Sequence, residues 1–319
     1  MKYRKLGKTR NKVSVVGFGC GPIGGTGWGK VKKRDAIAAI KKALELGINL
    51  FDVAPVYGFG RAEKILGKAL RSKRKKVLIN TKCGLERNRK GKVFANGRPR
   101  HIRKDCEKSL KNLKTDYIDI LQIHAPDLSV PFSETIGEML RLQKEGKIRF
   151  LGFSNFTIPQ MKECLQYSAF TSLQSRYNLL ERKTEEKILP FCKNKGISFF
   201  SHTSLAMGLL SGRFSENTKI PEGDIRKVDA LFHSDNFKRN LRITAKVAEI
   251  AVKCAMTPVQ VAIAWILQKN NVTCALVGAR KPLQIEDSAG ATKDISPALL
   301  RELNEIHYGV HRDIQQTSL

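Results

Sequence analysis

The sequence predicts an α/β fold of the (β/α)8 class, a TIM barrel, in one domain over residues 1–319. Two patterns carry that expectation. Eight short apolar runs alternate with amphipathic helical segments, and no low-complexity linker interrupts them, as in parallel strands joined by helices. Most of the runs also end on polar residues, which suits a barrel whose sites lie at the C-terminal ends of its strands.

The runs are VSVVGFG (13–19), INLFDVA (48–54), KVLINTK (76–82), DILQIHA (119–125), IRFLGFS (148–154), TSLQS (171–175), ISFFSH (197–202) and CALVGA (274–279). Most are continuously apolar, as expected of strands buried on both faces. Helices are expected over 34–46, 102–114, 133–145, 157–168, 184–195 and 240–270. Ala62, Ile65, Leu66, Ala69 and Leu70 recur at helical spacing and form one apolar face. Pro258 divides the last region into two helices, with Thr257 capping the second. A short N-terminal β-hairpin and C-terminal helices complete the expected fold.

A doubly wound sheet competes through Gly19, Gly21 and Gly24, which spell GxGxxG after the first run, with Asp52 ending the next. In a dinucleotide-binding turn the third glycine opens the helix. Here GTGWGKVKK follows Gly24 and the helical pattern begins only near Asp35. The glycines therefore read as a loop above a strand.

Composition narrows the class. No run of eighteen apolar residues occurs, so no membrane span is expected. The N-terminus lacks the apolar stretch of a secretory signal. Seven scattered cysteines without a CxxC fit reduced thiols in the cytoplasm. His307 and His311 stand four apart but lack a flanking Cys or carboxylate partner, so they read as surface residues and no metal is expected. Lys and Arg number 58 against 29 Asp and Glu, a net charge of +29. Such an excess attracts polyanions. The cations run from end to end without an RNA-binding signature, zinc finger or basic heptad, so no specific nucleic-acid partner is expected.

The polar run ends carry the chemistry. Asp52 ends the second run, with Tyr57 in the loop beyond it; Lys82 ends the third and His124 the fourth. Ser154 and Asn155 follow the fifth, and Gln174 the sixth. In a barrel they converge on one rim. Each alone is an ordinary cap, solvated or packing residue. Together they describe a proton donor. A tyrosine with a pKa near 10 is a weak acid at neutral pH, and a neighbouring ammonium lowers it. An Asp keeps that ammonium charged, and a His hydrogen-bonds and orients a carbonyl oxygen.

With these residues the chain resembles the aldo-keto reductases. The resemblance runs from YRKLGKT to LLRELNEI through NLFDVAPVYGFGRAEKILGKAL, TKCG, DYIDILQIHAPD, EGKIRFLGFSNF, LQSRYNLLER, GLLSGRF and ALVGARKPLQ. It implies a (β/α)8 barrel that reduces aldehydes and ketones with NADPH and without a metal, its catalytic residues matching Asp52, Tyr57, Lys82 and His124. Ser154, Asn155 and Gln174 match the groups that hold the nicotinamide carboxamide. His202, Thr203, Leu205, Gly208 and Arg213 fall in the segment that wraps the ring and pyrophosphate. Gly278, Arg280 and Gln284 match the segment at the adenosine 2′-phosphate, where a guanidinium fork suits a dianion. Three positions depart from the family pattern. His202 stands where a Tyr or Trp usually stacks on the nicotinamide, Ser204 replaces a common Pro, and Asp287-Ser288 replaces a Glu-Asn pair at the adenine.

The expected partner is a small carbonyl substrate, a sugar or another anionic carbonyl compound among the candidates; the sequence leaves the oligomeric state open. The same fold also serves as a non-catalytic NADPH-binding scaffold in potassium-channel β subunits. Those lack the His of the tetrad, and His124 is present here. One further stretch bears on the substrate. GLERNRKGKVFANGRPRHIRK (84–104) holds Arg87, Arg89, Lys90, Lys92, Arg98, Arg100, Arg103 and Lys104 against Glu86 alone. Its glycines and Pro99 predict a loop until about Ile102. That loop is either a solvated flap or a means of gathering an anionic substrate at the pocket mouth.

Overall fold

In the computed structural model, which describes residues 1–88 and 90–306, all eight apolar runs are strands, and they close into a parallel barrel. An antiparallel hairpin of β1 (Tyr3–Lys5) and β2 (Lys12–Ser14) precedes it. The first barrel strands are β3 (Val16–Gly19), β4 (Leu50–Asp52) and β5 (Leu78–Cys83). A small hairpin, β6 (Leu85–Arg87) with β7 (Val93–Ala95), follows β5. The barrel continues through β8 (Ile118–Ile123), β9 (Ile148–Ser154), β10 (Ser172–Arg176), β11 (Ser198–His202) and β12 (Val272–Gly278). β12 then pairs with β3 and closes the ring.

The two-residue period of the strands layers the barrel interior. Leu50, Leu78, Ile120, Phe200, Cys274 and Leu276 form an apolar floor, completed from below by Leu6 and Val13 at the N-terminal hairpin. Two residues further along their strands come Asp52, Asn80 and Gln122, all buried and polar. The alternate strand residues, such as Phe51, Ile79, Leu121 and Phe153, face outward into a second core under the helices. Each Leu- or Phe-sized side chain buried this way is worth about 1.5–3 kcal/mol. The apolar floor therefore offsets the polar layer above it.

The helices follow the expected order with shifted ends. They are α1 (Gly21–Gly24), α2 (Lys33–Glu45), α3 (Arg61–Leu70), α4 (Pro99–Leu113), α5 (Phe132–Lys144), α6 (Ile158–Cys164), α7 (Ile188–Lys195), α8 (Ser234–Lys253), α9 (Pro258–Leu267) and α10 (Pro282–Ala289), with a further helical stretch over 297–306. The loop expected until Ile102 is shorter than predicted, because Pro99 opens α4 at a position where its missing N–H costs nothing. α7 begins four residues late and α6 ends four early, and α8 begins six residues before the expected start. Gly19 to Gly24 form a strand end and one helical turn in a barrel, so the dinucleotide-turn alternative is excluded.

All seven cysteines are free, and only Cys254 is even half-exposed. Among the described residues no three metal-ligating side chains cluster, and no single helix is long and apolar enough to cross a membrane. His307, His311 and Arg89 lie outside the described residues.

Thr257 caps α9 as expected. Its hydroxyl accepts the Gln260 N–H at 3.1 Å, and the Gln260 side chain returns to the Thr257 N–H at 3.3 Å. Thr257→Ala is expected to lower stability by about 1 kcal/mol, read as a lower urea midpoint with unchanged slope.

Candidate active site

The site begins at the polar layer. Asp52, the last residue of β4, accepts three hydrogen bonds on one oxygen. They come from Lys82 Nζ at 2.6 Å, Asn80 Nδ2 at 2.7 Å and Gln174 Nε2 at 2.8 Å. Lys82 on β5 has no solvent exposure. Its ammonium also donates to the Val53 carbonyl at 3.2 Å and to the Tyr57 hydroxyl at 3.4 Å.

Tyr57 is placed by two touching loops. Gly58 has a φ of +64°, and Gly24 packs so closely on the Tyr57–Gly58 peptide that a Cβ there would sit 2.6 Å from the Tyr57 carbonyl carbon. Side chains at either glycine would part the loops and move the phenol. The His124 ring stands edge-on to Tyr57, with centroids 6.1 Å apart.

The electrostatics fix the protonation states. Burial pushes the Lys82 ammonium toward neutrality, but Asp52 and Tyr57 outweigh it and raise the pKa above the ordinary lysine value. Lys82 is therefore charged at neutral pH. Burial raises the Tyr57 phenol, and the pull of Lys82 offsets only part of that, so its pKa stands above the ordinary tyrosine value. This corrects the expected direction: Lys82 does favour the phenolate, yet desolvation wins. Burial first, then Lys82 and His202, hold the His124 imidazole well below its usual pKa and therefore neutral.

A cleft of about 560 Å³ opens above this cluster. Asp52, Tyr57 and His124 line it, with Lys82 just beneath. So do Ser154, Asn155, Gln174, His202, Thr203, Leu205, Gly208, Arg213, Gly278, Arg280 and Gln284, the positions matched to the cofactor from the sequence. His202 is locked at both ring nitrogens, to Asn155 Oδ1 at 3.1 Å and Thr203 Oγ at 3.0 Å, and its pKa is pushed down to about 3, chiefly by burial. Asp287 accepts from Thr257 at 2.6 Å, and Ser288 donates to the Gln284 carbonyl at 3.0 Å; both still line the cleft.

Sequence reasoning missed Trp28, Arg176, Phe214, Arg226 and Asp229, which also line the cleft. Arg176 is bidentate to Asp229 at 2.9 Å through both bonds, tying β10 to the long segment after β11. The Arg226 guanidinium lies 5.9 Å from the Trp28 ring and 5.5 Å from Phe214. Arg176 was in view within LQSRYNLLER and Phe214 within GLLSGRF; Trp28, Arg226 and Asp229 carried no signal, because their meeting is set by chain segments distant in sequence.

The basic stretch 84–104 requires a second correction. None of its described residues lines the cleft. Its first half is the β6–β7 hairpin, and Arg87 rests on the Phe59 ring at 4.2 Å. Arg103 lies on α4 and is bound to Glu138 in the middle of α5 and Glu145 at its end, both at 2.6 Å. Arg103 is thus a wall anchor, and Arg100 and Arg103 belong to α4 rather than to a loop.

Comparison with known proteins agrees with the fold. The family model described as the aldo/keto reductase family matches residues 15–306. Aldo-keto reductase YhdN of Bacillus subtilis is 38% identical over 90% of this chain and 87% of its own. The NADH-specific methylglyoxal reductase of Escherichia coli is 33% identical over 96% of this chain and 99% of its own. Among solved structures, the glycerol dehydrogenase AKR11B4 of Gluconobacter oxydans superposes with a TM-score of 0.87 at 35% identity, covering 95% of this chain and 94% of that one. The chain belongs to the aldo/keto reductase family and carries that family's oxidoreductase fold.

The protonation states are open to direct measurement. Tyrosinate absorbance lost in Tyr57→Phe relative to the parent should titrate above pH ~10. Lys82→Met should move that titration higher still. Movement to lower pH on loss of Lys82 would contradict the electrostatic assignment.

Proposed function

We propose that this protein reduces the carbonyl of an aldehyde or ketone to an alcohol, with NADPH as hydride donor and Tyr57 as general acid. The observation that carries the reading is the buried relay Asp52–Lys82–Tyr57, at 2.6 and 3.4 Å, opening under the cleft beside a neutral His124.

The cleft's donor set fits the cofactor. Hydroxyl and amide groups of Ser154, Asn155 and Gln174 line it together with the guanidinium groups of Arg213 and Arg280. The first group suits a carboxamide and the second suits phosphates. Arg280 gives one guanidinium N–H to the Trp28 carbonyl at 2.9 Å, and among the described residues it forms no ion pair. Bound here, NADPH supplies the hydride. Neutral His124 hydrogen-bonds and orients the substrate oxygen. Tyr57, protonated at neutral pH, delivers its proton to that oxygen as negative charge develops on it. Lys82 stabilises the phenolate left behind. Asp52 keeps Lys82 charged and aimed. The presence of His124 favours catalysis over a purely regulatory NADPH-binding role, and seven unpaired thiols suit the cytoplasm.

Two measurements test the reading. On a panel of aldehydes, ketosugars and keto acids followed by NADPH absorbance, Tyr57→Phe should lose roughly 10²–10⁴-fold in turnover while still binding NADPH. Near-normal turnover in that variant would remove Tyr57 from the mechanism. Because one relative is named NADH-specific, cofactor choice needs its own test. Arg280→Ala should weaken NADPH about tenfold or more, by the worth of a charge-assisted contact, and leave NADH little changed. Equal weakening of both would mean that Arg280 does not read the 2′-phosphate.

A further inference from the structure

The polar layer extends beyond the four residues that touch the chemistry. Asn80 lies beside Asp52 in the register of β4 and β5. It is fully buried, and its Nδ2 makes two bonds, to Asp52 Oδ1 at 2.7 Å and Gln122 Oε1 at 3.0 Å. Gln122 then donates to Ser172 Oγ on β10 at 3.0 Å. The intervening strand β9 presents Gly152 at this level. A Cβ there would lie 2.5 Å from Ser172 Oγ and 2.6 Å from the Gln122 side chain. The glycine therefore opens the passage through which Gln122 reaches Ser172. The ladder Asp52–Asn80–Gln122–Ser172 spans half the barrel.

Its direction is forced. A carboxylate only accepts, so Asn80 must turn its N–H groups toward Asp52 and Gln122. The Asn80 Oδ1 is left buried with no partner in the protein. An unpaired buried acceptor is costly, and the strand positions directly below, Leu78 and Ile120, are apolar. Stability alone would favour an apolar residue at position 80.

We propose that Asn80 is a positioning residue for proton transfer. Its amide, anchored through Gln122, draws part of the Asp52 charge and leaves more of the Lys82 field on Tyr57. Asp52 and Lys82 act on Tyr57 in opposite senses, Asp52 disfavouring the phenolate and Lys82 favouring it. The groups facing the phenol are Asp52 from β4, Lys82 from β5, His124 after β8 and the buried Cys20 thiol after β3. Of these, the carboxylate is the one that Asn80 touches. Without the Asn80 N–H, Asp52 concentrates its charge on Lys82, and Tyr57 becomes a weaker acid.

This inference rests on Tyr57 as general acid, but its first readout does not require turnover. Asn80→Leu keeps much of the volume and removes the polar atoms; Gln122→Leu leaves Asn80 in place without its anchor. With NADPH affinity within about twofold of the parent, the Tyr57 titration should rise by about half a pH unit or more in Asn80→Leu. It should rise less, in the same direction, in Gln122→Leu. On a carbonyl substrate that the parent reduces, the plateau rate should fall severalfold while its alkaline limb moves to higher pH. Mere loosening lowers the plateau without displacing the limb. Folded variants with an unmoved Tyr57 titration, or a slower rate with an unmoved limb, would overturn the proposal. If the parent reduces no carbonyl tested, the proposed function fails, and the titration still decides what Asn80 does.

Discussion

The buried ion pair of Lys82 and Asp52 governs the rest of the site. An ammonium with no solvent exposure loses several kcal/mol of hydration and persists only if each N–H finds an acceptor. Asp52, the Val53 carbonyl and the Tyr57 hydroxyl provide three. Meeting that demand fixes where β4 ends, how the following turn runs and where the phenol points. The same cation adds to the depression of both His124 and His202, so neither imidazole becomes a competing charge. Burial, with this cation's help, thus keeps two histidines neutral and leaves a tyrosine as the protonated acid beside them.

Much of this was legible in the sequence because strands impose a period of two and a barrel gathers their ends. Asp52, Lys82, His124 and Gln174 each follow an apolar run, and reading to the end of the run was enough to place them on one rim. Helix caps with local chemistry, such as Thr257 with Gln260, were legible for the same reason. The β6–β7 hairpin was not. Its strands are three residues long, and Leu85–Arg87 and Val93–Ala95 show no alternation distinguishable from a loop. Arg103 was misread because its partners, Glu138 and Glu145, are supplied by the neighbouring helix α5 and its C-terminal cap. The direction of the Tyr57 shift required knowing how far the phenol is withdrawn from solvent, which no local pattern reports.

The large positive charge divides along similar lines. Arg74, Arg103, Arg149 and Arg176 have carboxylate partners and brace the barrel wall or the segment over the cleft. Arg280 has none among the described residues and lines the cleft. A guanidinium with a carboxylate of its own is largely neutralised toward an incoming anion; one without keeps its field. The cations that matter for an anionic ligand are therefore few, and they lie in the cleft rather than in the stretch where positive charge is densest in sequence.

His202 shows how the site does without the expected aromatic ring. Asn155 Nδ2 donates to the His124 carbonyl at 3.2 Å, and a carbonyl can only accept, so the Asn155 oxygen must face His202. His202 Nε2 therefore carries the proton, and Nδ1 accepts from the Thr203 hydroxyl. Burial first, then Lys82 and Arg176, push the ring's pKa down to about 3, so it stays neutral. Asn155 and Thr203 both adopt left-handed backbone, φ +61° and +57°, a strained conformation for residues other than glycine. The strain is the cost of setting two hydrogen-bonding side chains against one imidazole. A Trp or Tyr would hold its place by area; this imidazole is held by orientation. That leaves Asn155 committed at both ends of its amide, Nδ2 to the His124 carbonyl at 3.2 Å and the Ser154 hydroxyl at 3.1 Å and Oδ1 to His202, so its N–H groups can meet a carboxamide only by giving up one of these bonds.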